Sequence, residues 1–449
     1  MNEQDRHQTA RDLLGYIDAS PSPWHAVANA MEILDRRGFQ RLREAETWDL
    51  HPGRAYYVVR DDSSLIAFRI GDAALEDAGF RIVGAHTDSP GFRVKPNAAH
   101  AKGPLAALGT EIYGGPILAT FADRDLTLAG RVFVRDEHAE SGVSPRLVHF
   151  DRPLLRLPNL AIHMNRDVNR EGLKFDYQEQ LPLFLSALSE ELPPEQKFRR
   201  LLAEQAGADP EELVSWGLAV ADTQAGAFWG PENEFIANSQ LDNLASCHAA
   251  LAALPEETAD AGVAVAALFD HEEVGSESYK GAAGNFLESI LARIAEELSL
   301  SEGQYRAALA RSWLLSADMA HATHPHFPSH HEPQHPVKVN EGPVIKINAA
   351  QRYATDELGE AYFARLCEET GIPCQKYIHR NDLPCGSTIG PMMAARLGLR
   401  TVDVGNPMWA MHSLRESAGT FDHGALIRVL ETFYTTGRGG VGRTLGVLP

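Results

Sequence analysis

Cysteine is scarce in this sequence, with four residues (Cys247, Cys367, Cys374 and Cys385) among 449. None of them belongs to a CxxC pair, and they show none of the density typical of a disulfide framework. Disulfides are common in secreted proteins and rare in the cytosol. The scarcity of cysteine therefore indicates a reduced, cytosolic protein.

Long apolar runs are also missing. No stretch approaches the ~20 residues that cross a bilayer, and the opening MNEQDRHQTARDLL lacks the apolar centre of a signal peptide. Basic residues number 41 against 61 acidic ones, so the formal net charge is −20. Such a charge argues against nucleic acid or an anionic membrane as the main partner. We therefore predict a cytoplasmic protein, and bound cations can neutralise part of its charge.

Strand-like and helix-like segments alternate in much of the chain. RIVGAHTDSPG (81–91) and GVAVAALFD (262–270) have the apolar character of buried strands, and residues 243–254 are typical of a helix. Alternation of this kind predicts an α/β fold with a mostly parallel sheet flanked by helices.

One part of the chain departs from this alternation. From about residue 93 to 230 the sequence contains short strand-like segments and many turns, for example LVHFDRPLLRLPNLAIHMN (147–165). A chain of 449 residues is too long for one ordinary core. We therefore predict two domains, one formed by residues 1–92 and 231–449 and the other by a β-rich insertion at 93–230.

Polar and charged side chains follow several predicted strands. In FDHEEVGSES (269–278) a buried strand ends in four consecutive ionisable residues. Because the ends of parallel strands lie at one edge of a sheet, such residues can meet in one cleft. Imidazole nitrogens and carboxylate oxygens are ligands that Zn²⁺ uses. The candidates are His86, Asp88, Asp242 (just before the helix predicted from Asn243), Glu272, Glu273, Asp318 and His412.

Two pairs among these residues suggest different roles. His86 and Asp88 share one face of an extended strand, and a ligating histidine usually donates its second ring N–H to a carboxylate. We interpret His86 as a metal ligand and Asp88 as the group that orients it, although an isolated HxD is more often a surface pair. Of Glu272 and Glu273, one can bind metal while the other transfers a proton. The residues alone do not decide which.

Six motifs resemble the M18 metallopeptidases, the aspartyl aminopeptidase family. They are AHTDSPG, SQLDN, DHEEVGS, SADMAHATHP, NDLPCGSTIGP and GNPMWAMHSLRE. The resemblance extends from SPSPWHAV near the N-terminus to the C-terminal helix. Motifs of this length, in the same order, make it specific to this family rather than to zinc peptidases with two metals in general.

The resemblance implies a zinc exopeptidase-like fold and two zinc ions per subunit, which Mn²⁺ or Co²⁺ can replace. His86, Asp242 and Asp318 would hold one zinc. Asp242, Glu273 and His412 would hold the second, with Asp242 as the bridge. A bridging role also suits the two oxygens of a carboxylate.

The resemblance also assigns catalytic roles. Glu272 would be the general base, and Asp88 would support His86. His163, in LPNLAIHMNR, would reach from the insertion into the active site of a neighbouring subunit, to help bind substrate or polarise the scissile carbonyl. The insertion would drive dimerisation, and dimers would assemble into a tetrahedral dodecamer.

The implied activity is removal of N-terminal residues from peptides, with acidic residues (Asp or Glu) preferred. Two positions depart from the family pattern: Ala350 replaces a lysine near the substrate side chain, and His326 replaces an asparagine. Arg352, Lys346 or Arg380 remain as cations for an acidic side chain. The alternatives are a neutral-residue (Leu-type) aminopeptidase, a metal-dependent N-acyl amino acid deacylase or carboxypeptidase, and a catalytically silent assembly or cargo protein.

Overall fold

The computed structural model describes residues 3–188, 191–257 and 261–436. Within these ranges the strands form sheets of nine, six and five strands. The strands are β1 (Gln40–Leu42), β2 (Ala55–Arg60), β3 (Ser64–Ile70), β4 (Phe80–His86), β5 (Gly91–Lys102), β6 (Leu105–Tyr113), β7 (Leu126–Arg135), β8 (Val143–His149), β9 (Leu183–Ala187), β10 (Leu213–Asp222), β11 (Ala227–Trp229), β12 (Phe235–Asn238), β13 (Val263–Phe269), β14 (Trp313–Ala317), β15 (Ala320–His321), β16 (Val344–Ile347), β17 (Gln375–Ile378), β18 (Arg400–Gly405), β19 (Pro407–Trp409) and β20 (Glu416–Gly419).

Helices connect most strands of the large sheet. They are α1 (Glu3–Asp18), α2 (Pro23–Arg36), α3 (Leu75–Ala78), α4 (Val168–Glu171), α5 (Pro194–Ala206), α6 (Leu241–Ala252), α7 (Phe286–Glu297), α8 (Glu302–Arg311), α9 (Glu357–Thr370), α10 (Ile389–Leu397) and α11 (Thr420–Thr435). Short 3-10 turns cover Leu118–Phe121, Glu272–Val274 and Pro328–His330. None of the helices in the described ranges has the length and apolar character needed to cross a membrane.

The nine-stranded sheet has the order β1-β2-β3-β13-β4-β14-β18-β16-β17. Its central strands β13, β4, β14 and β18 all run in one direction. Every residue of β4 and β13 is buried, which explains why both segments are apolar on both faces. The predicted α/β fold with a mostly parallel sheet is confirmed.

Helices cover both faces of this sheet. Val83 and Ala85 of β4 pack with helices α1, α6, α9 and α11, whereas Phe80 and Ile82 pack on the opposite face with α7, α8 and α10. Alternate residues of a strand point to opposite faces, so β4 contributes to two separate cores. Because helices pack on both faces of the sheet, the ends of the central strands are fixed in place. The loops that follow these strands therefore begin at fixed points.

The six-stranded sheet lies between β4 and β12 in the chain and is called the insertion sheet below (strands within residues 91–222). Its order is β8-β7-β10-β5-β6-β9, and all neighbouring strands are antiparallel. Phe198 and Leu202 of α5 pack with Phe92, Leu128 and Val132 in a core of its own. The insertion sheet therefore has a hydrophobic core separate from the two cores of the large sheet.

The strands predicted within residues 147–165 are only partly present. The segment contributes the end of β8, up to His149, followed by isolated bridges at Leu155 and Arg156. Residues 157–167 contain no strand. Pro153 and Pro158 lack the backbone N–H that a sheet requires, and this explains the wrong prediction.

The helix predicted to open at Asn243 also differs. Helix α6 begins at Leu241, but Asp242 and Asn243 have non-helical backbone angles within it. The Asp242 N–H donates to Glu416 Oε2 at 3.0 Å. Contacts with a distant strand, rather than helix propensity, therefore set the conformation of this first turn.

Candidate metal centre

Four of the candidate site residues lie where strands of the large sheet end, and the other two, Asp242 and His412, follow strands of the five-stranded sheet. His86 is the last residue of β4, and Asp318 follows β14 directly. Glu272 and Glu273 lie in the 3-10 turn that follows β13, and His412 lies in the loop after β19. The parallel strands β4, β13 and β14 bring His86, the glutamate turn and Asp318 to one edge of the large sheet. Asp242, in the first turn of α6, lies between the two histidines.

The ligand atoms form two groups that share Asp242. In one group, His86 Nε2 lies 3.5 Å from Asp242 Oδ1 and 3.6 Å from Asp318 Oδ1. In the other, His412 Nε2 lies 3.5 Å from Asp242 Oδ2 and 3.4 Å from Glu273 Oε1. Each group could hold a metal ion, because its ligand atoms lie within 4.8 Å of one another. The two oxygens of Asp242 therefore face different groups.

The candidate ligands suit a zinc ion in two respects, their donor atoms and a buried oxygen that lacks a hydrogen bond. Nitrogen and carboxylate oxygen donors are those that Zn²⁺ uses. Asp242 Oδ1 is buried and has no hydrogen-bond partner among the described residues. A buried carboxylate oxygen is costly unless it is paired or binds a metal. A cation at this position would satisfy it.

Glu272 lies at the margin of this cluster. Its side chain is 14% exposed against 7% for Glu273, and its Oε2 lies 4.0 Å from His86 Nε2. Burial, the largest cause, raises the pKa of Glu272 to about 7, and the charges of Asp318 and Asp88 act in the same direction. His86, Glu272 and Glu273 form a third group of metal-ligand type, so Glu272 borders the two groups centred on Asp242 without belonging to either.

Asp88 contacts the glutamate turn as well as His86. His86 Nδ1 lies 3.0 Å from the backbone carbonyl oxygen of Asp88 and 3.5 Å from its Oδ1. The carboxylate accepts the backbone N–H groups of Glu272 and Glu273, both at 3.1 Å, and the hydroxyl of Tyr113 at 2.8 Å. Asp88 therefore fixes the orientation of the turn that carries both glutamates.

Sequence reasoning missed Glu416. This buried residue of β20 accepts the backbone N–H of Asp242 at 3.0 Å and that of His412 at 2.7 Å. Burial raises the pKa of Glu416 to about 8, and the charge of Asp242 adds to the effect. Glu416 stands four residues after His412 in MHSLRE, but nothing in the local pattern distinguishes it from a surface residue.

Asp270 and His271 begin the same turn. Asp270 is buried and forms an ion pair with Lys280 at 2.9 Å. Lys280 also contacts Asp61 at 2.9 Å, and Asp61 in turn binds Arg131 of the insertion sheet at 2.9 Å. A buried ionic network therefore holds the base of the turn that carries Glu272.

Replacement of Lys280 by methionine is expected to lower the free energy of unfolding by about 3–5 kcal/mol, because it leaves the Asp270 carboxylate buried without its partner. Denaturant unfolding at fixed protein and zinc concentration measures the change. Lys174→Met is the control, since Lys174 is exposed and lies 3.9 Å from Glu171, and a loss below about 1 kcal/mol is expected there. Equal losses in both variants would contradict a structural role for the buried pair.

His163 does not join the cluster within its own chain. It lies in an exposed loop of the insertion, beside the exposed side chains of Leu160, Ile162 and Met164. The other seven predicted site residues are brought together by the contacts described above.

A donor set of this kind at the carboxyl edge of a parallel sheet is typical of a metallohydrolase. The family described as Aminopeptidase I zinc metalloprotease (M18) matches residues 16–434. The chain therefore belongs to the M18 family, and it is a metallo-aminopeptidase. This confirms the resemblance of the sequence motifs.

Individual relatives agree with this assignment. The chain is 44% identical over 440 residues to the probable M18 family aminopeptidase 2 of Stutzerimonas stutzeri, covering 96% of this chain and 99% of that protein. A chain in the cryo-electron microscopy structure of the Ape4 and Nbr1 complex superposes with a TM-score of 0.91 at 37% identity, covering 96% of this chain and 86% of that one. The S. cerevisiae mApe1 dodecamer gives 0.84 at 25% identity, covering 98% and 99%.

Proposed function

We propose that the enzyme is a dinuclear zinc aminopeptidase that hydrolyses the N-terminal peptide bond of peptides. The observation that carries the proposal is that the two oxygens of Asp242 face His86 and His412, at 3.5 Å each. Paired metal ions lie about 3.5–4 Å apart, a distance that one carboxylate can bridge. Asp318 would complete one site and Glu273 the other. Mn²⁺ or Co²⁺ can replace zinc.

The residues divide the chemistry between them. Zinc ions bound here would supply Lewis acidity and lower the pKa of a bound water. Glu272 would accept a proton from the attacking water and deliver it to the departing amine. Asp88 keeps the backbone of Glu272 and Glu273 fixed through two hydrogen bonds of 3.1 Å, so the base needs little reorganisation.

Peptides that begin with an acidic residue (Asp or Glu) are the proposed preferred substrates. Lys346 is buried against Asp318 Oδ2 and the Met319 carbonyl, both at 3.2 Å, and Arg380 is paired with Asp382. Arg352 is exposed, donates to the Gly386 carbonyl at 3.3 Å and forms no ion pair with any described residue. Arg352 would supply the cation for the substrate side chain.

The substrate preference is tested with chromogenic substrates carrying N-terminal Asp, Glu, Leu or Ala, after Zn²⁺, Mn²⁺ or Co²⁺ is restored to the metal-free enzyme. We expect kcat/KM to be about tenfold or more higher for Asp and Glu, since a hydrogen bond to a charged group contributes roughly 1.5–3 kcal/mol. Arg352→Gln should remove the preference without slowing Leu hydrolysis. A preference of the wild-type enzyme for Leu would instead support the neutral-residue alternative.

Two further assays address the remaining alternatives. Hydrolysis of N-acyl amino acids but not of aminoacyl substrates would identify a deacylase. Fewer than one zinc or related ion per chain after gentle purification would favour a catalytically silent assembly protein. The complete set of ligands and Glu272 supports an active enzyme.

The enzyme is also proposed to act as a homo-oligomer in the cytoplasm, with residues 93–230 as the dimerisation domain and a tetrahedral dodecamer as the assembly. The S. cerevisiae relative is a dodecamer. Leu160, Ile162 and Met164 expose apolar side chains around His163, a surface that a neighbouring subunit would cover. His163 would then reach that subunit's active site. The four free cysteines support a reducing compartment.

A further inference from the structure

A short segment at the end of β6, Tyr113-Gly114-Gly115, joins the insertion sheet directly to the metal centre. The Tyr113 hydroxyl donates to Asp88 Oδ2 at 2.8 Å. The same Asp88 carboxylate accepts the backbone N–H groups of Glu272 and Glu273. The Tyr113 ring is held in turn by the guanidinium of Arg93, 4.2 Å above it.

The two glycines extend the contact to the next ligand. Gly114 has a φ of +66°, and a Cβ there would lie 3.1 Å from the Cβ of Glu273. The carbonyl oxygen of Gly115 lies 3.0 Å from His412 Nδ1, so it can accept the ring N–H opposite the ligating Nε2. Such hydrogen bonds fix the tautomer and the ring orientation of a metal-binding histidine.

The other half of the centre is held mainly by other contacts. His86 Nδ1 lies 3.0 Å from the backbone carbonyl oxygen of Asp88 and further, 3.5 Å, from the carboxylate that Tyr113 contacts. Asp318 contacts Lys346 of β16 at 3.2 Å, and the His86 carbonyl accepts the Cys247 thiol of α6 at 2.9 Å. Both partners belong to elements outside the insertion sheet.

We infer that Tyr113-Gly114-Gly115 is a positioning segment mainly for the Glu273–His412 metal site, and that the His86–Asp318 site depends on it less, because the shorter contact of His86 Nδ1 is with the backbone carbonyl of Asp88. The inference rests on the proposed dinuclear centre. It gives the insertion a role inside its own subunit in addition to assembly.

Zinc titration of the metal-free protein, by calorimetry or against a chromophoric chelator, tests the inference without measuring turnover. In an Asp318→Ala background only the Glu273–His412 site remains, and Tyr113→Phe should weaken zinc binding there by about 10–100-fold, the usual effect of losing an outer hydrogen bond. In a His412→Ala background the same substitution should change the affinity of the remaining ion clearly less. Gly114→Ala should weaken zinc binding at the same site as Tyr113→Phe does.

Two control variants show whether a loss of zinc affinity comes from lost positioning of the ligands or from general destabilisation of the protein. Gly103→Ala places a side chain at a similar φ of +58° in the same sheet but in open space, and Tyr177→Phe alters an exposed tyrosine of the insertion; neither should change zinc affinity. The inference fails if Tyr113→Phe leaves the ion in the Asp318→Ala background unaffected, or weakens the ion in the His412→Ala background equally. A wild-type chain that binds one ion would instead contradict the dinuclear proposal.

Discussion

The Glu272→Gln enzyme is expected to keep its full zinc content and to lose turnover by a factor of about 10²–10⁴, the usual contribution of a general base. Glutamine has nearly the shape of glutamate but cannot accept the proton of the attacking water. Glu272 lies outside the two ligand groups centred on Asp242, so its loss should leave both ions in place. Zinc content by mass spectrometry and kcat on an aminoacyl substrate measure the two quantities.

Two comparison variants make the Glu272 result specific. Glu277→Gln changes an exposed glutamate five residues further along the same loop and should behave as wild type. Glu273→Gln should lose zinc together with activity. If Glu273→Gln kept its zinc and Glu272→Gln lost it, the roles of the two glutamates would be the reverse of those proposed.

Asp242→Ala is expected to release both zinc ions and to lower kcat/KM by at least about 10³-fold, since bound metal supplies several kcal/mol of transition-state stabilisation. The reason is that both groups of ligand atoms include this one carboxylate, through Oδ1 on one side and Oδ2 on the other. Metal content per chain, measured after dialysis against metal-free buffer, gives the result directly.

Asp318→Ala is the matched comparison for Asp242. Asp318 belongs to a single group, so its removal should release one ion and leave the other. Retention of one ion by Asp242→Ala would show that Asp242 does not bridge the sites, even if activity were lost. Loss of both ions from Asp318→Ala would show that the two sites fill only together.

The sequence predicts the central sheet well because its signals are local. β4 and β13 are runs of apolar residues whose burial on both faces requires such runs. The polar residues of the centre stand at their ends, since His86 is the last residue of β4 and Glu272 follows β13 after Asp270 and His271. The rule that parallel strand ends share one edge then brings distant residues together. The α/β class and the approximate location of the centre follow from these two facts.

The details of the centre depend on contacts between distant residues, and these were not predictable. Asp242 has a non-helical backbone within α6. Its N–H donates to Glu416, which stands 174 residues later in the chain. Tyr113 stands 25 residues after Asp88 and reaches it because the end of β6 pairs with Gly91 at the start of β5, three residues after Asp88. The division of roles between Glu272 and Glu273 came from the family motifs, because adjacent glutamates are equivalent in composition.

The order of the ligands along the chain has a consequence for synthesis. They emerge as His86, Asp242, Glu273, Asp318 and finally His412, with the whole insertion sheet translated between the first two. Domains fold from the N-terminal side as the chain leaves the ribosome, so a nascent chain can complete the insertion sheet long before the second of the two proposed zinc sites has all its ligands. A chain translated only as far as Asp318 would therefore lack one member of the proposed dinuclear centre.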